Sequence, residues 1–229
     1  MKILAVDTST ELCSAAIIID GRVLASKQLA AREHTKILLP MVADLLAQAQ
    51  LTLKQMDAIA FGRGPGSFTG VRIGVCMAQG LAFGADLPMI GISTLQALAQ
   101  GAKRELGASK VLAAIDARMD EVYWGQYVFE NNNWQLLGAE KVQAPSKIVE
   151  TLALDTSIWT QVGTGWDAYS GEFAKLSSQT QTSEILYPQA QDIVVIAAEE
   201  FKNGNFVPAN QASPSYLRDK VTWKKLPGK

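Results

Sequence analysis

Histidine is nearly absent from this chain: His34 is the only one among 229 residues. A histidine-based metal cluster or a Ser-His-Asp triad would have to be built on it alone. Cysteine is scarce as well. Cys13 and Cys76 have no partnered spacing, which fits small buried hydrophobes in a reducing compartment rather than ligands. Neither sign of charge prevails. The 21 Lys and Arg against 22 Asp and Glu leave a formal net charge of −1, so no global field is available to hold nucleic acid. Apolar runs are short. Ile3–Val6 ends at Asp7, well short of a signal-peptide core, and Ile193–Ala198 is well short of a membrane span. The expected location is the cytoplasm, without membrane contact.

What is present suits a folded protein: 48% hydrophobic and 19% charged residues, enough for one large domain or two small lobes. Ile3–Val6 predicts a buried strand with Asp7 at its end, and Leu12–Asp20 and Arg22–Leu29 predict two strands joined at Asp20-Gly21. Ile37, Leu38, Met41, Val42, Leu45, Leu46 and Ala49 share a helical face, with Pro40 marking a start or a kink. A strand over 57–61 follows, then the Gly62-Arg63-Gly64-Pro65-Gly66 turn and a helix capped by Ser67 and running to about Phe83. Met89–Ile92 predicts a strand and Ser93 a cap for the helix 94–100.

The pattern then restarts. Val111–Ile115 ends at Asp116, 109 positions after Asp7. Strands over 122–129 and 134–139, a helix over 146–154, a strand over 158–162 and a helix over 193–201 follow. Alternating strands and helices imply α/β layers. The duplicated βββαβα halves resemble the two-lobed actin-like ATPase (ASKHA) fold, to which sugar and acetate kinases belong. The expected lobes are 1–105 and 106–229, with the last segment free to return to the first lobe. The boundary is set near 101–109, where Gly101 and Gly107 flank a charged stretch.

In that fold, glycine turns at the ends of the first strands grip phosphate through backbone N–H groups. Here the two turns are Asp7-Thr8-Ser9-Thr10 and Asp116-Ala117-Arg118-Met119-Asp120-Glu121. Neither contains glycine, and the second brings three acids. Asp7, Thr8, Ser9 and Asp116 are therefore candidates for a degenerate phosphate site. Strand-end capping is the simpler role for the two aspartates. The Gly62–Gly70 segment is no P-loop, because no lysine occurs between Lys54 and Lys103. Arg63 and Arg72 fit either an anion or exposed salt bridges.

Gly70, Gly74, Ala78 and Ala82 recur every fourth residue and form a smooth helical ridge. An interior glycine costs a helix roughly 1 kcal/mol relative to alanine, so close approach of a neighbour must offset it. That neighbour is either the protein's own sheet or another subunit. In the second case Ile37, Met41 and Leu45 with Gly70, Val71, Gly74, Val75, Ala78 and Ala82 make a helix–helix interface. Leucine at Gly74 would then break partner binding and spare the fold. Near the C-terminus, Arg218, Lys220, Lys224 and Lys225 surround Trp223, a segment able to touch RNA or simply to be solvated. Trp159 and Trp166 read as core or cleft residues.

Four segments resemble the TsaB (YeaZ) family of bacterial tRNA threonylcarbamoyladenosine biosynthesis proteins. They are Ile3-Leu4-Ala5-Val6-Asp7-Thr8-Ser9-Thr10, Gly64-Pro65-Gly66-Ser67-Phe68-Thr69-Gly70-Val71-Arg72-Ile73-Gly74, Ile115-Asp116-Ala117-Arg118-Met119-Asp120-Glu121-Val122-Tyr123, and Tyr216-Leu217-Arg218. The resemblance implies the actin-like fold and a non-catalytic scaffold role beside the catalytic subunit TsaD. It also implies docking of the ATPase TsaE on the pair, and self-association through the same helical surface. ATP and metal are then handled by the partners, and tRNA is met indirectly or through the basic tail. TsaD carries an H-x-x-x-H metal pair; the matching positions here are Thr94 and Leu98, which cannot hold a transition metal. Without that pair or a triad, peptidase activity has no support. The alternative function is an ATP-dependent small-molecule kinase of the same fold.

Overall fold

The computed structural model describes residues 1–30 and 32–218. The first half builds a five-stranded sheet from β1 (Lys2–Asp7), β2 (Leu12–Ile19), β3 (Arg22–Leu29), β4 (Ala58–Gly64) and β5 (Met89–Ser93). Its helices are α1 (His34–Gln48), α2 (Phe68–Ala85) and α3 (Thr94–Leu106). The second half has β6 (Lys110–Arg118), β7 (Glu121–Glu130), β8 (Asn133–Leu136), β9 (Lys141–Gln143), β10 (Trp159–Val162) and β11 (Thr180–Gln181). Its helices are α4 (Pro145–Thr151), α5 (Gly165–Ala168), α6 (Ser170–Phe173) and α7 (Ala190–Lys202).

The duplication seen as a sequence pattern is a duplication of topology. The first sheet runs β3-β2-β1-β4-β5 and the second β8-β7-β6-β10-β11, with β9 added beside β7. In each, the central strand pairs antiparallel with the hairpin strand and parallel with the strand that follows the first helix. Two copies of this order define the actin-like arrangement. Each half is longer than the predicted βββαβα unit, because a further strand and helix (β5–α3 in the first half, β11–α7 in the second) complete it.

Those two terminal helices are exchanged. Leu95, Leu98, Ala99 and Ala102 of α3 pack with Val111, Ala113 and Ile115 of the second sheet. Ile193, Val194 and Ala197 of α7 pack with Ile3, Ala5, Ala60 and Ile90 of the first. The layers are therefore α1/α2, first sheet, α3/α7, second sheet, α4/α5/α6. Buried Asp192 on α7 joins the exchanged helices, accepting Arg104 Nε at 2.8 Å and Nη2 at 3.0 Å. After α7 the chain returns to the first lobe, where Val207 pairs with Met89 and Ala212 enters the core.

Local signals behave as their chemistry dictates. Ser67 Oγ accepts from Gly70 N at the start of α2, and Ser93 Oγ from Leu95 N and Gln96 N at the start of α3. Pro40 lies inside α1, which begins before it at His34. Among the described residues one helix, α2, is long and apolar enough by length and composition to cross a membrane. Its inward face is buried in the first lobe.

Candidate functional site: a braced cleft between the lobes

Asp7 ends β1 in full burial. Its Oδ1 accepts from Ser9 N at 3.1 Å and Ser9 Oγ at 2.9 Å, while Oδ2 has no partner. Burial pushes the carboxyl up to about 7, against the pull of the two Ser9 bonds. The hydroxyls of Thr8 and Ser9 are committed as well, whereas the buried Thr10 Oγ1 has no partner. Thr8 Oγ1 donates to Gly70 O at 2.7 Å, and Ser9 O accepts from Ser67 N at 2.8 Å. The first turn thus spends most of its polar groups on the protein itself.

This turn explains the glycines. A methyl group at Gly62 would overlap Asp7 Oδ2, one at Gly66 would overlap Ser9 O, one at Gly70 would overlap Thr8 O, and one at Gly74 would stand 2.8 Å from Thr8 Oγ1. The ridge of Gly70, Gly74, Ala78 and Ala82 is therefore the seat of the first turn and first sheet, all four residues being buried. Val71 and Val75 join the same core with Met41 and Leu45 of α1, and Ile37 packs half-buried against it. Gly70, Val71, Gly74, Val75, Ala78, Ala82, Met41 and Leu45 are buried in the lobe's own core and only Ile37 is half-buried, so the close approach that offsets the helix cost is met internally. Leucine at Gly74 would strike Thr8, so the expectation that it spares the fold is reversed. The outward face of α2 is a different set, with Phe68 63% and Phe83 79% exposed, Cys76 exposed, and Ile73, Met77 and Leu81 half-buried. Phe68, Ile73, Cys76 and Met77 border an apolar groove against Thr35 of α1.

The structure brings the first turn and the second together across the cleft. Ser9, Thr10, Gly66, Ser67, Asp116 and Arg118 line one cavity of about 540 Å³. Asp116 is tied down too. Its Oδ1 accepts from Arg118 N at 2.8 Å and Tyr169 OH at 3.2 Å, and its Oδ2 pairs with Arg118 Nη1 at 3.0 Å. The other end of Arg118 reaches Glu11 of the first lobe at 3.8 Å. Arg118 therefore balances the charge of Asp116, while its longer, exposed contact with Glu11 spans the cleft.

Three elements of the cleft escaped the sequence analysis. The Gly163-Thr164-Gly165 turn after β10 places Thr164 Oγ1 where it accepts from Asp116 N at 3.2 Å. Gly163 has φ +95°, and a side chain there would overlap Ala114 O. The signal was present, since a glycine pair directly follows a predicted strand. Tyr169 and Tyr187 carried no such signal. Arg218 is misassigned to a solvated tail. Only 18% exposed, it donates to Ala117 O at 3.2 Å and pairs with Glu121 at 2.6 Å, so its guanidinium is not free for RNA. Lys220, Trp223, Lys224 and Lys225 lie outside the described residues.

At the positions matched to the TsaD metal pair, Thr94 Oγ1 donates to Pro65 O and Leu98 lies in the apolar layer around α3. Among the described residues no three His, Cys, Asp or Glu side chains gather in a metal-binding group. Trp159 and Trp166 are buried in the second lobe, with Trp166 Nε1 donating to Leu112 O and Val162 O at 3.2 Å each.

Topology and cleft together define an actin-like two-lobed protein in which most polar groups of both strand-end turns are bonded within the protein. Residues 22–226 match the family described as TsaD, tRNA N6-adenosine threonylcarbamoyltransferase. The tRNA threonylcarbamoyladenosine biosynthesis protein TsaB of Escherichia coli is 50% identical, with both chains covered completely. That of Haemophilus influenzae is 46% identical over all of this chain and 98% of its own. A crystal structure from Pseudomonas aeruginosa, described as an uncharacterized protein with similarity to peptidase YEAZ, is 44% identical. It superposes with a TM-score of 0.86 over 95% of this chain and 99% of its own. The chain belongs to the TsaB family of tRNA threonylcarbamoyladenosine biosynthesis proteins.

Proposed function

We propose that this chain is a non-catalytic subunit of a tRNA threonylcarbamoyladenosine-forming complex, binding and activating a TsaD-type catalytic partner in the cytoplasm. The observation that carries this is the commitment of the cleft's own polar groups. Thr8, Ser9, Asp116 and Arg118 are bonded to Asp7, to one another or to backbone, with Asp7 Oδ2 and Thr10 Oγ1 left unpartnered, and the glycines nearby receive protein rather than phosphate. A subunit of this shape contributes surface. ATP and metal belong to the partners, the TsaE-type ATPase among them, and the chain brings neither.

The docking surface is the outward face of α2 beside α1. Phe68, Phe83 and the half-buried Ile73, Met77 and Leu81 present apolar area that the lobe itself leaves uncovered. The same face serves a homodimer when the catalytic subunit is absent, so the two assemblies compete. Light scattering of this chain alone and mixed with a TsaD-type protein tests the proposal. A 1:1 complex growing at the expense of the dimer supports it. Failure to form any complex, with or without ATP and the third protein, refutes it. Phe83→Glu tests the surface. We expect weakening of partner binding by roughly 10–100-fold, the size of effect typical of a central apolar anchor, with urea stability within about 0.5 kcal/mol of the parent.

A further inference from the structure

The C-terminal segment crosses from one lobe to the other within four residues. Upstream, Gln79 Nε2 on α2 holds it by donating to Ala209 O and Ala212 O, each at 3.0 Å. Ser215 N donates to Arg63 O of β4 at 2.7 Å. The Tyr216 ring lies 6.2 Å from that of Phe68, and the Arg72 guanidinium covers both, at 3.2 Å from Phe68 and 4.8 Å from Tyr216. All of these anchors belong to the first lobe. Two residues later Arg218 donates to Ala117 O at 3.2 Å, to Arg118 O at 3.4 Å and to Glu121 Oε2 at 2.6 Å, all in the β6–β7 turn of the second lobe.

That turn is costly to hold. Arg118, Met119 and Asp120 are three successive non-glycine residues with φ near +60° (61°, 59° and 59°). Such a backbone persists only where its surroundings fix it, and Arg218 bonds two of its carbonyls as well as its flanking acid. At the back of the cleft the lobes are joined separately, through the exchanged helices and through Glu140, which accepts from Ser93 Oγ and Tyr127 OH. A hinge behind and a tie in front determine an angle.

We propose that residues 215–218 are a strap that fixes the opening of the inter-lobe cleft, with Arg218 as the positioning residue that closes it onto the second lobe. Domain closure about a cleft needs one side free to move. Here the strap removes that freedom, so the lobes present one fixed geometry. Because Tyr216 stacks on the exposed end of α2, whatever docks on that helix meets the strap as well.

The test uses the full chain in a Cys76→Ser background, with spin labels on Gln28→Cys in β3 and Lys147→Cys in α4, both exposed positions. Inter-lobe distance distributions are compared for the parent and for Arg218→Ala, together with hydrogen exchange at the β6–β7 turn. We expect a clearly broader distribution and exchange faster by roughly ten- to a hundredfold at Arg118–Val122, the factor set by loss of a charge-assisted pair. A folded Arg218→Ala variant with the parent's distance distribution overturns the proposal, even if its melting temperature falls. Should that variant not fold, Glu121→Gln keeps the shape and removes the charge, and decides the matter. Broadening supports the strap, and the parent width overturns it.

Discussion

Replacing the glycines of α2 one at a time separates internal packing from an external interface. Gly80 has nothing within 4 Å of where a methyl would stand, whereas at Gly70 the methyl would overlap Thr8 O and at Gly74 it would lie 2.8 Å from Thr8 Oγ1. Alanine at an open helical position gains about 1 kcal/mol through propensity. Gly80→Ala should therefore raise stability by about that amount, or roughly 2–4 °C in Tm for a chain of this size. At Gly70 the same gain is overrun, because backbone cannot move aside as a flexible side chain can. Overpacking typically costs 1–3 kcal/mol, and here it also breaks the Thr8–Gly70 bond, so a net loss of about 2 kcal/mol is expected. Gly74→Ala meets a hydroxyl able to shift a few tenths of an ångström and should fall between the two. Gly74→Leu should not give a stable fold at all. Urea unfolding of the four variants, with linear extrapolation at constant m, is the assay. Equal stability of Gly70→Ala and Gly80→Ala would show that the ridge does not seat the first turn, and would return it to the surface.

Asp7 gives a pH dependence whose sign can be worked out. Its folded value near 7 lies above the ordinary carboxyl value of 3.8, so the folded state holds a proton that the unfolded chain has released. Stability is full below about pH 4 and lost as pH rises through 7, by roughly 3 kcal/mol between pH 5 and 8. His34, pushed below its ordinary value of 6.5 by burial, works in the opposite direction at the acid end of that window. The quantity to measure is thus the parent minus Asp7→Asn in urea at both pH values, and a constant difference would contradict the assignment. Asp192→Ala removes the buried partner of Arg104 and should cost about 3 kcal/mol, the low end for a broken buried pair, because Arg104 is one-third exposed and regains water. The double variant Arg104→Met/Asp192→Leu should cost less than the single one, and an equal cost would deny the pair its role.

Much of the frame was legible because its signals are local. Ser67 and Ser93 lie one residue before apolar helical periodicity, Asp20-Gly21 separates two strand runs, and Asp7 and Asp116 each follow an apolar run. The ridge shows where local signals stop. Periodicity at every fourth residue identifies a smooth helical face but carries no direction, and the atom that demands it, Thr8 O, lies 62 positions away from Gly70 in sequence. The exposed apolar residues of α2 were visible, yet the small residues drew attention because both an interface and a core reward close approach. Arg218 failed similarly. Neighbouring lysines make it look solvated, and its partners Ala117, Arg118 and Glu121 are about 100 positions distant. The exchange of α3 and α7 was invisible for the same reason, since either helix suits either sheet by pattern alone.

That exchange dictates an order of events during synthesis. The inner face of the first sheet, formed by Ile3, Ala5, Ala60 and Ile90, is covered by a helix ending at Lys202. On the ribosome the N-terminal half therefore emerges with much of one apolar side uncovered, Ala97 of α3 reaching only part of it, and must wait for nearly nine-tenths of the chain before it can close. The two halves are copies in topology but not independent folding units. A fragment ending at Leu106 lacks Ile193, Val194 and Ala197, so most of its inner sheet face stays exposed and it is not a finished lobe.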